Sequence, residues 1–118
     1  MASSKDFAKY VTEDLLREID GVSARAMFGG FGLYKNAVIF GIIVENVIYL
    51  KVDDSNKVDY EEFGSKPFTY AMRNSKMSTM PYWELPESVM EDPEKLTKWV
   101  EKSVAINKAA KKIKIKKK

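Results

Sequence analysis

A chain of 118 residues with 45% hydrophobic and 31% charged side chains can bury the core of one globular domain without covalent staples. It has no cysteine, which excludes disulfides and thiolate chemistry and accords with a reducing compartment. It has no histidine either, which removes the commonest general base and metal ligand and every Ser-His or Cys-His arrangement. The net charge of +3 is unevenly spread: residues 108–118 hold seven lysines and no acid, leaving thirteen basic and seventeen acidic side chains elsewhere, a net of −4.

The N-terminal MASSKDFAKY lacks the apolar run of a signal peptide. The longest apolar run, residues 37–44, falls far short of the ~20 residues of a membrane-spanning helix. A soluble, cytoplasmic protein with no membrane insertion is expected. Ser3 or Ser4 can cap a first helix, and Phe7, Val11, Leu15 and Ile19 recur every four residues, predicting a helix over 4–19 stopped by Gly21. Extended segments follow in SARAMF, FGLY, AVIFGIIV and VIYLKV, with tight connections expected at Lys35-Asn36 and Glu45-Asn46. Such short links imply antiparallel neighbours, hence a meander. DDSNKVDYEEFG reads as a short helix capped by Asp53 or Asp54, with Val58 and Phe63 inward and Gly64 at its end. PFTYAMR and MSTMPYWEL supply two further strands around a polar link, Pro81 marking an edge or a bulge. Asp92-Pro93 starts a final helix as cap and first residue, followed by Leu96, Trp99, Val100 and Val104.

The glycines of RAMFGGFGLY raise the question of a phosphate loop. A dinucleotide fingerprint needs a third glycine opening a helix, but from Gly30 that position is Lys35; a Walker A loop needs Gly-Lys-Ser/Thr, which does not occur. The glycines are read instead as a bend where one strand changes direction and strands pack closely. The order becomes α-β-β-β-α-β-β-α: an α+β, two-layer domain with a five-stranded antiparallel sheet over residues 1–107, and a lysine-rich, disordered tail over 108–118.

Several spaced positions together resemble a known family. Arg25, Met27, Phe28, Gly29, Gly30 and Gly32 come first, then Phe40-Gly41 and Tyr49-Leu50-Lys51. Gly64, Pro67-Phe68, Tyr70, Tyr82, Pro86, Leu96 and Trp99 complete the pattern. The chain resembles the N-terminal domain of the TfoX/Sxy group, bacterial regulators linked to natural DNA competence. The resemblance covers residues 14–107 and implies a stand-alone N-terminal domain, with the lysine tail where members carry a second helical domain. It implies a regulatory role in transcription and supplies no catalytic residues to carry over.

Other constellations allow weaker readings. Asp53 and Asp54 lack the ligand spacing of an oxygen-only cation site, and Arg25 could pair with one of them across the sheet. Phe68, Tyr70, Met72, Met77, Met80, Tyr82 and Trp83 form an aromatic and methionine cluster. With strand 37–44 apolar on both sides, surplus apolar surface is expected, and Tyr70, Met80, Tyr82 and Trp83 become candidates for contact with a protein partner or a second copy. The tail lysines Lys111, Lys112, Lys114, Lys116, Lys117 and Lys118 can attract nucleic acid. The sequence therefore predicts a non-enzymatic regulatory or adaptor domain without cofactor or metal, acting through protein contacts. One alternative is a nucleic-acid-associated transcriptional regulator using the tail, with Arg25 and Lys51 as helpers. Another is a small-ligand domain with a pocket lined by Tyr49, Tyr70 and Tyr82.

Overall fold

The computed structural model describes residues 5–27, 29–71 and 76–116, and for residues 71 and 110–116 the backbone alone. The expected caps Ser3 and Ser4, together with Phe28, Met72, Lys117 and Lys118, lie outside the described residues. Helix α1 (Lys5–Tyr10) passes directly into a π-helical turn (Val11–Leu15) whose widened ring is closed by Leu16 N donating to Val11 O at 2.9 Å. Apolar side chains spaced by four overshoot a 3.6-residue turn, and a turn of i→i+5 bonds unwinds the helix enough to keep such a stripe facing one way. Ala8, Val11, Leu16 and Ile19 are buried, and the regular helix is accordingly shorter than the predicted 4–19.

Strands β1 (Val22–Met27), β2 (Gly30–Lys35), β3 (Val38–Val44) and β4 (Val47–Lys51) form the expected antiparallel meander. The connection after β2 falls at Asn36-Ala37 and the next at Glu45-Asn46, each a two-residue turn with both residues at positive φ (49° and 72°; 51° and 61°). Such turns match the right-handed twist of the strands they join. Helix α2 (Lys57–Glu62) then precedes β5 (Pro67–Ala71) and β6 (Met77–Glu84), and the short α3 (Glu87–Met90) leads into α4 (Pro93–Lys116). The sheet has six strands in the order β1-β2-β3-β4-β6-β5, all neighbours antiparallel.

The α+β class is as expected, and the five-strand count is corrected to six. RAMFGGFGLY spans the β1–β2 hairpin: Met27 pairs with Gly30, Ala26 with Phe31 and Arg25 with Gly32. Gly29, at φ +80°, supplies the left-handed backbone of the turn. Gly30 answers a different need, because a Cβ there would lie 2.1 Å from the Ile43 carbonyl oxygen of β3. One glycine turns the chain and the next lets two strands approach.

The core lies between one face of the sheet and the helices. Leu33, Phe40, Ile43, Ile48 and Leu50 from the strands meet Val11, Leu16, Val89, Leu96 and Val100. On α2 the expected inward pair is reversed. Val58 and Phe63 are exposed, and the inward residue is Tyr60, packed against Trp99 at 4.4 Å. Nor do Asp53 and Asp54 cap this helix; its N-cap is Asn56, and the Asp53 carboxylate instead accepts from the N–H and hydroxyl of Ser55 in the turn before it. Asp92 does cap α4, its carboxylate accepting from Lys95 N at 3.2 Å ahead of Pro93. Three further bonds fasten α4 to the sheet. Ser103 Oγ donates to Lys51 O and Asn107 Nδ2 to Ile39 O, both at 2.8 Å, and Lys35 Nζ reaches Glu101 at 3.4 Å. The backbone stays helical to Lys116.

Gly30→Ala is expected to destabilise the domain by about 3 kcal/mol, since the obstacle is backbone and cannot swing away. A lowered urea midpoint at unchanged m-value would register it.

Candidate functional site

Pairing register divides the sheet residues between two faces. Leu33, Gly41, Leu50 and Trp83 form one cross-strand row, and Gly32, Ile42, Tyr49 and Glu84 the adjacent row on the opposite face. The first row belongs to the core. The second belongs to a face where an open groove of about 340 Å³ is lined chiefly by Met27, Ile42, Val44, Phe68, Tyr70 and Met80. Met27 comes from β1 and Tyr70 from β5, the two edge strands, so the sheet curls until both edges border one concavity. Phe68 organises its aromatic wall, with Tyr49 edge-on at 5.1 Å and Tyr70 stacked at 6.2 Å. Tyr70 is 41% exposed and Met77, at the start of β6, is 65% exposed.

Of the four residues expected to make contacts, the structure brings Tyr70 and Met80 to the groove and sends the other two elsewhere. Trp83 faces the core, 6.4 Å from Tyr60. Tyr82 is buried at the end of the sheet beneath the Lys51 ammonium, which lies 5.4 Å from its ring centre. The three tyrosines of the small-ligand reading therefore do not converge: Tyr49 and Tyr70 meet at Phe68, and Tyr82 is covered. Ile42, Val44 and Phe68 complete the groove, and the sequence signal for the first two was the doubly apolar strand 37–44.

The motif residues play structural parts. The Arg25 guanidinium lies over the Tyr34 ring at 5.3 Å, so the partner found for it is aromatic rather than Asp53 or Asp54. Gly32 leaves room for Met27 Sδ and the Tyr34 ring, which a Cβ would meet at 2.7 and 3.0 Å, and a Cβ at Gly41 would meet Tyr49 O at 2.7 Å. The Lys51 carbonyl accepts from Ser103 and from Asn56 Nδ2. Arg25, on the β1 edge, and Lys51, at the end of β4, stand apart. Of the tail lysines, Lys111, Lys112, Lys114 and Lys116 fall within α4, whose backbone is described there.

A second, polar cleft lies between α2 and α4, where Lys95, Lys98 and Lys102 face Ser55, Asn56 and Asp59 around Trp99. Asp53 nearby is held below the usual carboxylate range, chiefly by the Ser55 hydroxyl and also by the Ser55 N–H and the ammonium groups of Lys102 and Lys51; burial opposes them. Among the described residues no group of three or more acidic side chains is placed to hold a metal ion, and no helix is long and apolar enough to cross a membrane.

Burial raises the pKa of three tyrosines. For Tyr49 the Glu84 and Glu45 carboxylates add to it; for Tyr82 Asn107 opposes it and Tyr34 adds; for Tyr60 Ser103 opposes it and Asp59 adds. Among the described residues no hydrogen bond of good geometry reaches the buried Tyr60 Oη, so the nearby Ser103 hydroxyl offsets burial only in part. Each hydroxyl stays protonated in the folded state at a pH where the unfolded chain, titrating near 10.0, ionises. Their contribution is therefore fully present below pH 10 and lost as pH rises above it. Tyr60→Phe is expected to change stability at pH 7 by less than about 1 kcal/mol and to flatten the alkaline loss, as denaturant melts at pH 7 and above pH 10 would reveal.

Comparison with known proteins adds two findings. The family model of the TfoX N-terminal domain matches residues 14–106. A similar protein, the DNA transformation protein TfoX1 of Aliivibrio fischeri, is 21% identical over 91 residues. Those residues are 77% of this chain and 43% of that protein, so the chain spans less than half of its relative's length.

Proposed function

This chain belongs to the TfoX N-terminal domain family, and from that premise we propose that it is a non-enzymatic regulatory or adaptor domain acting through protein–protein contacts. The observation that carries this reading is the groove opposite the helices. It is lined by apolar and aromatic side chains and leaves Tyr70 open to solvent at its rim. Concave surfaces rich in methionine and aromatic rings suit apolar segments of a protein partner, because methionine adapts its shape and a tyrosine ring gives large contact area with a polar tip. The chain also lacks the histidine and cysteine on which most acid–base and nucleophilic sites depend. The relative's name concerns DNA transformation; a competence-linked regulatory role is proposed for this chain in the same sense, the domain contributing a contact surface to it.

Tyr70→Lys tests the reading at an exposed position. The variant is expected to keep its circular dichroism spectrum and melting profile and to lose capture of partner from an extract of its own cells by at least 10-fold, the scale of a hot-spot aromatic. Undiminished capture would sink the groove as the contact surface.

A second reading has its own support. Helix α4 runs without interruption from the acidic body into the lysine-rich segment, with lysines at 95, 98, 102, 108, 111, 112, 114 and 116. A helix of this composition suits the phosphate backbone of nucleic acid. Under this reading, deleting residues 108–118 abolishes DNA binding and its steep salt dependence, and a fluorescence-anisotropy titration at two salt concentrations decides it.

A further inference from the structure

We propose that two copies of this chain join through their β5 strands, antiparallel about a two-fold axis at Thr69, into one continuous sheet. The inference rests on the reading of the open face as a protein-docking surface and names a second copy as one occupant of its rim. β5 is the last strand in the sheet order, so among the described residues one side of its backbone has no neighbour. Sheet edges are ordinarily blunted by charge, proline or a bulge. The opposite edge, β1, carries Arg25 near its centre. β5, with the sequence PFTYA, carries no charge, and its proline stands at the first position.

The direction of the free backbone groups follows from one bond. Lys66 O accepts from Glu84 N at 3.0 Å, so the groups of Lys66 turn toward β6. Alternation then turns those of Phe68 and Tyr70 the same way and those of Pro67, Thr69 and Ala71 outward. The register shift nearby does not upset this. Between Pro67↔Trp83 and Thr69↔Thr79 the extra residues lie in β6, leaving β5 regular. The donor that Pro67 lacks would thus point to the open edge, where proline is tolerated.

Self-pairing about Thr69 is complementary throughout. Thr69 faces its own copy and exchanges N–H to carbonyl bonds with it. Phe68 faces Tyr70 of the second copy, and Ala71 N–H faces the Pro67 carbonyl. No like charges oppose each other within the paired strands. Phe68 and Tyr70 share the groove face, so each becomes half of a cross-strand aromatic pair, a favourable combination in antiparallel sheets. The two grooves then adjoin across the axis. An isologous contact of this kind is also closed, ending at two copies.

The cysteine-free sequence makes the test clean. In a hydrogen-bonded antiparallel pair the Cα atoms lie about 5.5 Å apart, within disulfide range. Purified Thr69→Cys, carrying the only thiol, is expected to form a covalent dimer under mild oxidation at least 10-fold faster than Ser23→Cys, which is exposed on the opposite edge. Light scattering of the unaltered chain is expected to give twice its mass of 13.5 kDa. Thr69→Lys and Thr69→Glu should each weaken self-association about 5-fold by setting like charges face to face, and their equimolar mixture should restore it. A monomeric unaltered chain, equal cross-linking of the two cysteine variants, or a mixture that fails to restore association would each overturn the proposal. These measurements need no other protein. A monomeric chain that still captures a foreign partner through Tyr70 would therefore overturn the dimer and leave the docking reading intact.

Discussion

The carbonyl oxygen of Lys51 holds three parts of the molecule in one place. At the residue where β4 ends, it accepts from Ser103 on α4 and from Asn56 ahead of α2. Both donors are buried, and buried polar groups are tolerated only where partners are fixed. A shift of α4 by one residue would turn Ser103 about 100° away and strand it. The helix therefore has one register on the sheet, and that register sets Leu96 and Val100 on the core and Asn107 on the Ile39 carbonyl.

With α4 committed in this way, the core has one face of the sheet and the groove has the other. β3 is apolar in both directions: Phe40 and Ile43 are consumed by the core, while Ile42 and Val44 are left to the concavity. The proposed docking role thus arises from a packing imbalance, with more apolar strand surface than the helices cover. Glycine contributes to the same outcome on the groove face, because Gly32 leaves room there for Met27 Sδ and the Tyr34 ring.

Features written in local pattern were legible in the sequence. The two-residue turn at Glu45-Asn46, the Asp92-Pro93 start and the meander itself depend on neighbouring residues, and the structure has them. The family resemblance over residues 14–107 meets a family match over 14–106. The misread features depend on distant ones. Glycines in FGGFG serve a bend and a hairpin equally well, and only the pairing of β1 with β2 separates the two. On α2, periodicity favoured Val58 and Phe63, but the position of Trp99 on α4 decides that Tyr60 goes inward. Met80 and Tyr82 are two residues apart in one strand, yet one lines the groove and the other is buried, because the chain that covers Tyr82 arrives from β4 and α4.

The strand order has a kinetic side. β1 to β4 are joined in sequence by short turns, so their pairings form between near neighbours in the chain. The pairing of Tyr49 with Glu84 spans α2 and β5, and β6 enters beside β4 only when that long loop closes. Non-local pairings of this kind slow folding, since loop entropy must be overcome before contacts repay it. The β5–β6 hairpin is thus a separate late-docking unit, the last part of the sheet to join the meander.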